Sequence, residues 1–379
     1  MRELNKEKMI MLAKRVFVSI VVIVMIVCLP SVKFLSENTQ MIYETFIGKK
    51  SDFQGVIEIW NVDTFESGSD SKINFLNRVA KSFQNENKGV FVVVRNMTES
   101  ECLNQLKVGL VPDLLSCSYG VANEVKDYIK PYDESFLGLI RKDFEDAGKF
   151  NGSLYGLAWC RGSYFLISTK EKLQKAKIEN LDSVKLVDIA LNAGYETKHK
   201  NSVKVTYSLG MGSGKFGMPK MILKTYNITG ESSKEKFSID NSSVGQSGFL
   251  AYSKFIAGQS VILLGTQRDV VRVQGKVDSQ KIADAIFEPL TKFTDLVQFM
   301  FLGNVKDSKS GTAEKFGKFL TSQKVQRELG KINMFPVIMA FEEDYNLSVM
   351  QHIIPEINGD CDVLNVFLQK DKVDELQKN

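Results

Sequence analysis

The sequence predicts an α/β fold: a parallel sheet covered by helices, carried behind an N-terminal membrane segment. Three observations lead there. Short β-branched runs alternate with stretches of helical period along the chain; residues 55–94 already hold run, helix and run, a βαβ unit; and the almost wholly apolar stretch Val16–Leu29 follows the basic pair Lys14-Arg15.

The elements follow in order. Val16–Leu29 has Ser19 as its single polar residue and would span roughly 21 Å as a helix, short of a ~30 Å hydrocarbon core, so its length suits a signal-peptide core. Continued through Pro30 to Leu35, with Lys33 reaching back to the interface, it becomes an uncleaved anchor. In either form the basic flank keeps Met1–Arg15 in the cytoplasm and the body outside the cell, membrane-tethered where the segment is an uncleaved anchor. Residues 36–54 are polar and read as a stalk. Gly55–Trp60 is a first strand, and Ile73, Phe75, Leu76, Val79, Ala80 and Phe83 recur at helical spacing. Gly89–Val94 is a second strand, a helix runs around Glu99–Gly109, and Pro112–Cys117 is a third strand. The second half repeats the alternation: a strand at Tyr164–Ser168, helices starting at Glu171 and over Val184–Ala193, then Val203–Tyr207 leading into the glycine loop Gly210–Gly217. A helix at Phe249–Ala257, a strand at Val261–Leu264 and an outer helix at Thr312–Leu320 complete the pattern. No tandem repeat interrupts it.

Composition narrows the function. The chain has 379 residues, enough for two domains, with a net charge of +4. Residues 1–35 hold six basic residues against two acidic ones, which leaves the body formally neutral and argues against nucleic acid as a partner. Four cysteines beyond Cys28 (Cys102, Cys117, Cys160, Cys361) have no C-x-x-C spacing and read as buried thiols. His199 sits in a charged run and reads as a surface residue, His352 in an apolar one and reads as core; neither has a metal-ligand spacing, so no metal and no cofactor is expected. No H-E-x-x-H or G-x-S-x-G motif offers a catalytic residue. Glu342-Glu343-Asp344 reads as a solvated face. Gly212, Gly214 and Gly217 match a dinucleotide fingerprint in spacing, but Pro219 cuts into the helix that should hold the pyrophosphate, so the segment reads as a ligand-facing or surface loop. The two tryptophans, Trp60 and Trp159, both stand where strands meet loops, as indole platforms for a sugar face or as core plugs. Arg161 and Arg268 add bidentate donors where sheet ends would put them.

Gly55–Trp60 with its following helix, Asn87-Lys88-Gly89-Val90, Pro112-Asp113-Leu114, Tyr155-Gly156-Leu157-Ala158-Trp159, Gly258–Leu264 and Met334-Phe335-Pro336-Val337 occur in the order found in one family. Together they resemble the extracellular solute-binding proteins of bacterial ABC importers, in the sugar-binding branch (family 1). Ala158 stands where that family has proline, and Val27 precedes Cys28 where a lipidation box has a small residue. The resemblance implies a type II periplasmic-binding-protein-like fold of two α/β lobes, residues 55–157 with 286–333 and residues 158–285 with 334–379. It implies a small-molecule ligand, a sugar or oligosaccharide, held between the lobes and delivered to ABC permease subunits, with no covalent chemistry. Carried over by position, the ligand contacts are Trp60, Asn61, Asp63, Glu66, Ser116, Tyr119, Trp159, Arg161, Gly212 and Arg268. Two rival readings are an anchored enzyme acting on polysaccharide and a ligand-sensing accessory of a membrane receptor.

Overall fold

A computed structural model describes residues 49–133, 140–176, 181, 205–207, 248–304, 307–369 and 372. The chain divides into a small unit, residues 1–54 with 84–90, and a large one, residues 55–83 with 91–379. The large unit carries the polar seam described below and all strands except the first residues of two of them.

Strand β1 (Lys49–Val62) begins upstream of the expected Gly55, inside the stretch read as a stalk, and buries Ile57 and Ile59 on one face. Helix α1 (Lys72–Glu86) starts at Ser71, whose hydroxyl accepts from Asn74 N at 3.2 Å, and turns Phe75, Leu76, Val79, Ala80 and Phe83 inward at the predicted spacing. Strand β2 (Asn87–Met97) forms the sheet edge, where Phe91 and Val93 are exposed. Helix α2 (Glu99–Lys107) opens on a capping box: Thr98 Oγ1 accepts from Glu101 N at 3.2 Å, and Glu101 Oε2 accepts from Thr98 N at 2.8 Å. Strand β3 (Leu114–Cys117) follows, then β4 (Ile129–Lys130), helix α3 (Lys142–Ala147) and strand β5 (Gly156–Arg161).

The first sheet is ordered β2-β1-β3-β11-β4, with β5 also paired to β11 (Val297–Gly303). Only part of it is parallel. β1 and β3 pair in parallel (Trp60 opposite Leu115, Asn61 opposite Ser116), but β11 runs antiparallel to β3, β4 and β5. The parallel sheet expected from the alternation is therefore corrected to a mixed one. The chain re-enters this sheet from its second half, after crossing the molecule, and enters it reversed.

The second sheet is ordered β9-β6-β8-β7, from β6 (Tyr164–Ser168), β7 (Val205–Tyr207), β8 (Ile262–Thr266) and β9 (Ile286–Leu290). β8 is parallel to β7 and antiparallel to β6, which is antiparallel to β9. Helices α4 (Lys170–Ala176), α5 (Gly248–Ile256) and α6 (Gln267–Asp278) accompany it. Short strands β10 (Phe293–Thr294) and β12 (Asp362–Val363) pair in parallel. Helices α7 (Asp307–Leu320), α8 (Gln323–Arg327), α9 (Ser348–His352) and α10 (Ile354–Asn358) complete the described chain.

Each sheet has its own core. Leu115, Phe299, Phe301 and Phe144 pack in one cluster; Phe165, Leu263, Phe255 and Val270 pack in another. The chain passes from the first sheet to the second between β5 and β6 and returns between β9 and β11. A third segment meets the first crossing where Arg161 and Phe335 exchange backbone hydrogen bonds, both 2.9 Å.

His352, read as a core residue, is exposed instead: it ends α9, whose inward position is taken by Met350. The four outer cysteines are free and buried. The apolar segment Val16–Leu29, His199, the helix at Val184–Ala193 and the Gly210–Gly217 loop lie outside the described residues, among which no helix is long and apolar enough to cross a membrane.

Candidate functional site: a polar seam between the two sheets

The carboxyl ends of β1 and β3 place Asn61 and Ser116 side by side, and parallel pairing makes them neighbours. Ser116 Oγ donates to Asn61 Oδ1 at 2.9 Å and accepts from Gln298 Nε2 at 3.0 Å and Trp159 Nε1 at 3.3 Å. One donor and two lone pairs are thereby all used. Asn61 Nδ2 donates onward to Asn96 Oδ1 at 2.8 Å, and Gln298 Nε2 also reaches Val62 O at 3.0 Å. Asn61, Ser116, Trp159 and Gln298 are each 0% exposed, yet Gln298 Oε1 has no partner. Trp159 stacks flat on Phe75, with centroids 5.7 Å apart and planes 8° apart. Trp60 is 3% exposed in the first core cluster, its Nε1 donating to Glu58 Oε1 at 3.0 Å. Tyr119 is buried just beyond β3.

The loop after β1 is held from beneath by Lys72, which is 1% exposed. Its ammonium donates to Phe65 O, lies 3.7 Å from the Phe65 ring centroid and pairs with Asp63 Oδ1 at 3.3 Å. Nearby, Thr64 and Ser118 join their hydroxyls. The same loop then meets α6. Thr266 and Asp269 form that helix's capping box, which sets the direction of the next side chains. Gln267 Nε2 donates to Glu66 O at 2.8 Å, Arg268 Nη1 to Gly68 O at 3.0 Å, and Arg272 Nη2 pairs with Glu66 Oε1 at 3.0 Å. On the far side of Gly68 stands Asn333, in a left-handed conformation (φ 50°), so close that a Cβ at position 68 would overlap its carbonyl oxygen.

Of the residues expected to contact a ligand, Asn61, Ser116 and Trp159 thus share one network, Asp63 pairs with Lys72, and Glu66 and Arg268 join the loop to α6. Arg161 lies apart: it is 1% exposed, donates through Nη2 to Ile357 O at 2.7 Å and sits 5.3 Å from the Phe144 centroid, while Nε and Nη1 have no partner. Burial holds its pKa below the usual arginine range. Gly212 lies outside the described residues. Lys72, Gln267, Arg272 and Gln298 belong to the seam although sequence reasoning passed over them. Gln298 is the lone polar residue in the apolar run Val297–Leu302, and Thr266-x-x-Asp269 is a readable capping box, so signals for two of them exist.

Chemically the seam is built to hold polar groups. Arg268 Nε, Asn333 Oδ1 and Gln298 Oε1 are buried without hydrogen-bond partners, which costs free energy unless something supplies one. The seam's acids Asp63 and Glu66 are both taken by cations. Among the described residues no group of three or more His, Cys, Asp or Glu could hold a metal ion. The thiols of Cys102 and Cys160 are each pushed up to about 12 by burial and are poor nucleophiles.

This is the periplasmic-binding-protein-like α/β fold shared by the bacterial solute-binding proteins of ABC transporters. The GacH receptor of Streptomyces glaucescens, crystallised free and with acarbose, is similar over 86% of this chain and 93% of its own, with a TM-score of 0.56 and 14% identity. An ABC substrate-binding protein of Listeria monocytogenes in complex with cycloalternan is similar over 86% and 91%, with a TM-score of 0.52 and 14% identity. The fold also serves an enzyme: thiaminase I of Bacillus thiaminolyticus covers 85% of this chain and 99% of its own at a TM-score of 0.56 and 12% identity. No protein-family model and no curated protein matches the chain.

Proposed function

We propose that the chain is an extracellular solute-binding protein that closes two lobes, residues 55–157 with 286–333 and 158–285 with 334–379, over a sugar or oligosaccharide and presents it to ABC permease subunits. Its Val16–Leu29 segment exports the body or anchors it to the membrane. The observation that carries this reading is the seam itself: loop 61–71 of the first sheet faces α6 of the second through polar contacts, with buried donors and acceptors left over on both sides. Such groups recognise hydroxyls, and a ligand binding them shifts the lobes toward closure by its differential affinity. Several proteins of this fold are seen with carbohydrates, among them maltotetraose. The test is a thermal-shift panel of maltotetraose, chitin oligosaccharides and cycloalternan beside amino acids and peptides. A saturable rise in Tm with a glycan is expected, and a folded sample that responds to no glycan overturns the reading.

The second reading is an enzyme, favoured by the thiaminase that shares the fold. Turnover of a glycan, rather than its recovery intact after binding, would establish it.

A further inference from the structure

We propose that a second ligand site, separate from the seam, lies against the four-stranded sheet: a cavity of about 450 Å³ fitted to a small organic anion, a carboxylate or phosphate group on an apolar body. It is framed by α4, the end of α5 and the 281–284 turn, and its volume falls within the roughly 300–1,000 Å³ of small-molecule sites. Phe255, Ile256, Val261 and Ile282 supply an apolar lining.

Its charges are unevenly spent. Both acids that line it are engaged: Glu171 pairs with Lys175, and Asp284 accepts from Lys170 N at 3.0 Å through Oδ1 and pairs with Lys170 Nζ at 3.9 Å through Oδ2. Lys172 and Lys281 also line the cavity, and no carboxylate among the described residues pairs with either. Lys172 Nζ donates to Phe255 O at 2.8 Å and Ser260 O at 3.0 Å, which uses two of its three N–H donors and fixes the ammonium 4.4 Å from the Phe255 centroid. Burial lowers its pKa, the nearby charge of Glu171 offsets part of that fall and Lys175 adds to it, and a bound anion would stabilise its charged form further. Ser260, 3% exposed and also in the wall, has a hydroxyl with no hydrogen-bond partner. Two ammoniums that form no ion pair with a carboxylate among the described residues and an unused hydroxyl over an apolar floor fit an anionic head on a hydrocarbon or aromatic body.

The site is not part of the seam. Val261 precedes β8, whereas Gln267 and Arg268 follow it, so the two lie at opposite ends of a strand roughly 16 Å long.

The test titrates the full chain at constant ionic strength with inorganic phosphate and, separately, with hexanoate, by calorimetry and thermal shift against chloride. At least one probe is expected to bind saturably at millimolar concentration, with affinity at least tenfold weaker in Lys172→Met and in Lys281→Gln. Lys281 is exposed on its turn, so its variant reports even if Lys172→Met fails to fold. Binding of hexanoate alone marks a carboxylate with an apolar body as the ligand, and binding of phosphate alone marks the phosphate head; either upholds the site. No saturable binding by either probe, or equal affinity in wild type and the folded variants, overturns it.

Discussion

Ser116 joins Asn61, Gln298 and the Trp159 indole through a single oxygen. Ser116→Ala strands two donors and one acceptor in a dry interior, and is expected to lower unfolding free energy by about 1–3 kcal/mol in urea denaturation with the slope unchanged. Lys72→Met leaves the Phe65 carbonyl and the Asp63 carboxylate without their cation. Asp63 is 21% exposed, so water recovers part of the loss, and about 2 kcal/mol of destabilisation is expected by the same measurement. Gly68→Ala drives a methyl into Asn333, costing about 1–3 kcal/mol and loosening the loop from α6. These residues also show what sequence reading could and could not reach. Both tryptophans lie inside strands, Trp60 in β1 and Trp159 in β5, rather than at the strand–loop junctions the sequence suggested, and their burial depends on Phe75, Leu115 and Ser116, partners brought up by the fold from elsewhere along the chain.

At the scale of elements, local signals carried furthest. Tyr164–Ser168 is a strand at the residues read from its apolar run, and α1 buries five of the six side chains in its expected stripe, all but Ile73, because period and capping are properties of neighbouring residues. Strand direction is not: β11 lies far in sequence from β3, and only the crossing path makes it antiparallel. That crossing also carries a titrating group. Asp295, beside β10, is buried, and its carboxyl is raised to about 6 by that burial although it accepts from Tyr164 Oη at 2.7 Å. Its folded pKa exceeds the unfolded value, so the stability it contributes is complete below about pH 4 and is lost as pH rises through about 6, on the order of 3 kcal/mol in all. Asp295→Asn is expected to flatten this part of the stability–pH curve between pH 4 and 7, measured by denaturant midpoints; an unchanged slope would remove Asp295 as its source.

For the whole molecule, loop 61–71 and α6 determine how the two sheets meet. The Glu66–Arg272 pair is 18% exposed at both partners, so it is worth less than a fully buried one. Glu66→Gln is expected to change global stability by about 1 kcal/mol or less, while making the sheets easier to part. Small-angle scattering of the ligand-free variant should then give a larger radius of gyration than wild type, and an identical radius would mean that the backbone contacts of Gln267 and Arg268 suffice.

The four sequestered thiols turn the fold into its own clock. Cys117 in β3 and Cys160 in β5 are both at 0% exposure, whereas Cys361, at 8%, precedes a two-residue strand near the end of the described chain. Among these four, a sulfhydryl reagent added to the native protein should therefore modify Cys361 first, after local fraying, and reach Cys117 and Cys160 only through global opening. The order of labelling would chart, without any engineered probe, which parts of the molecule come undone independently.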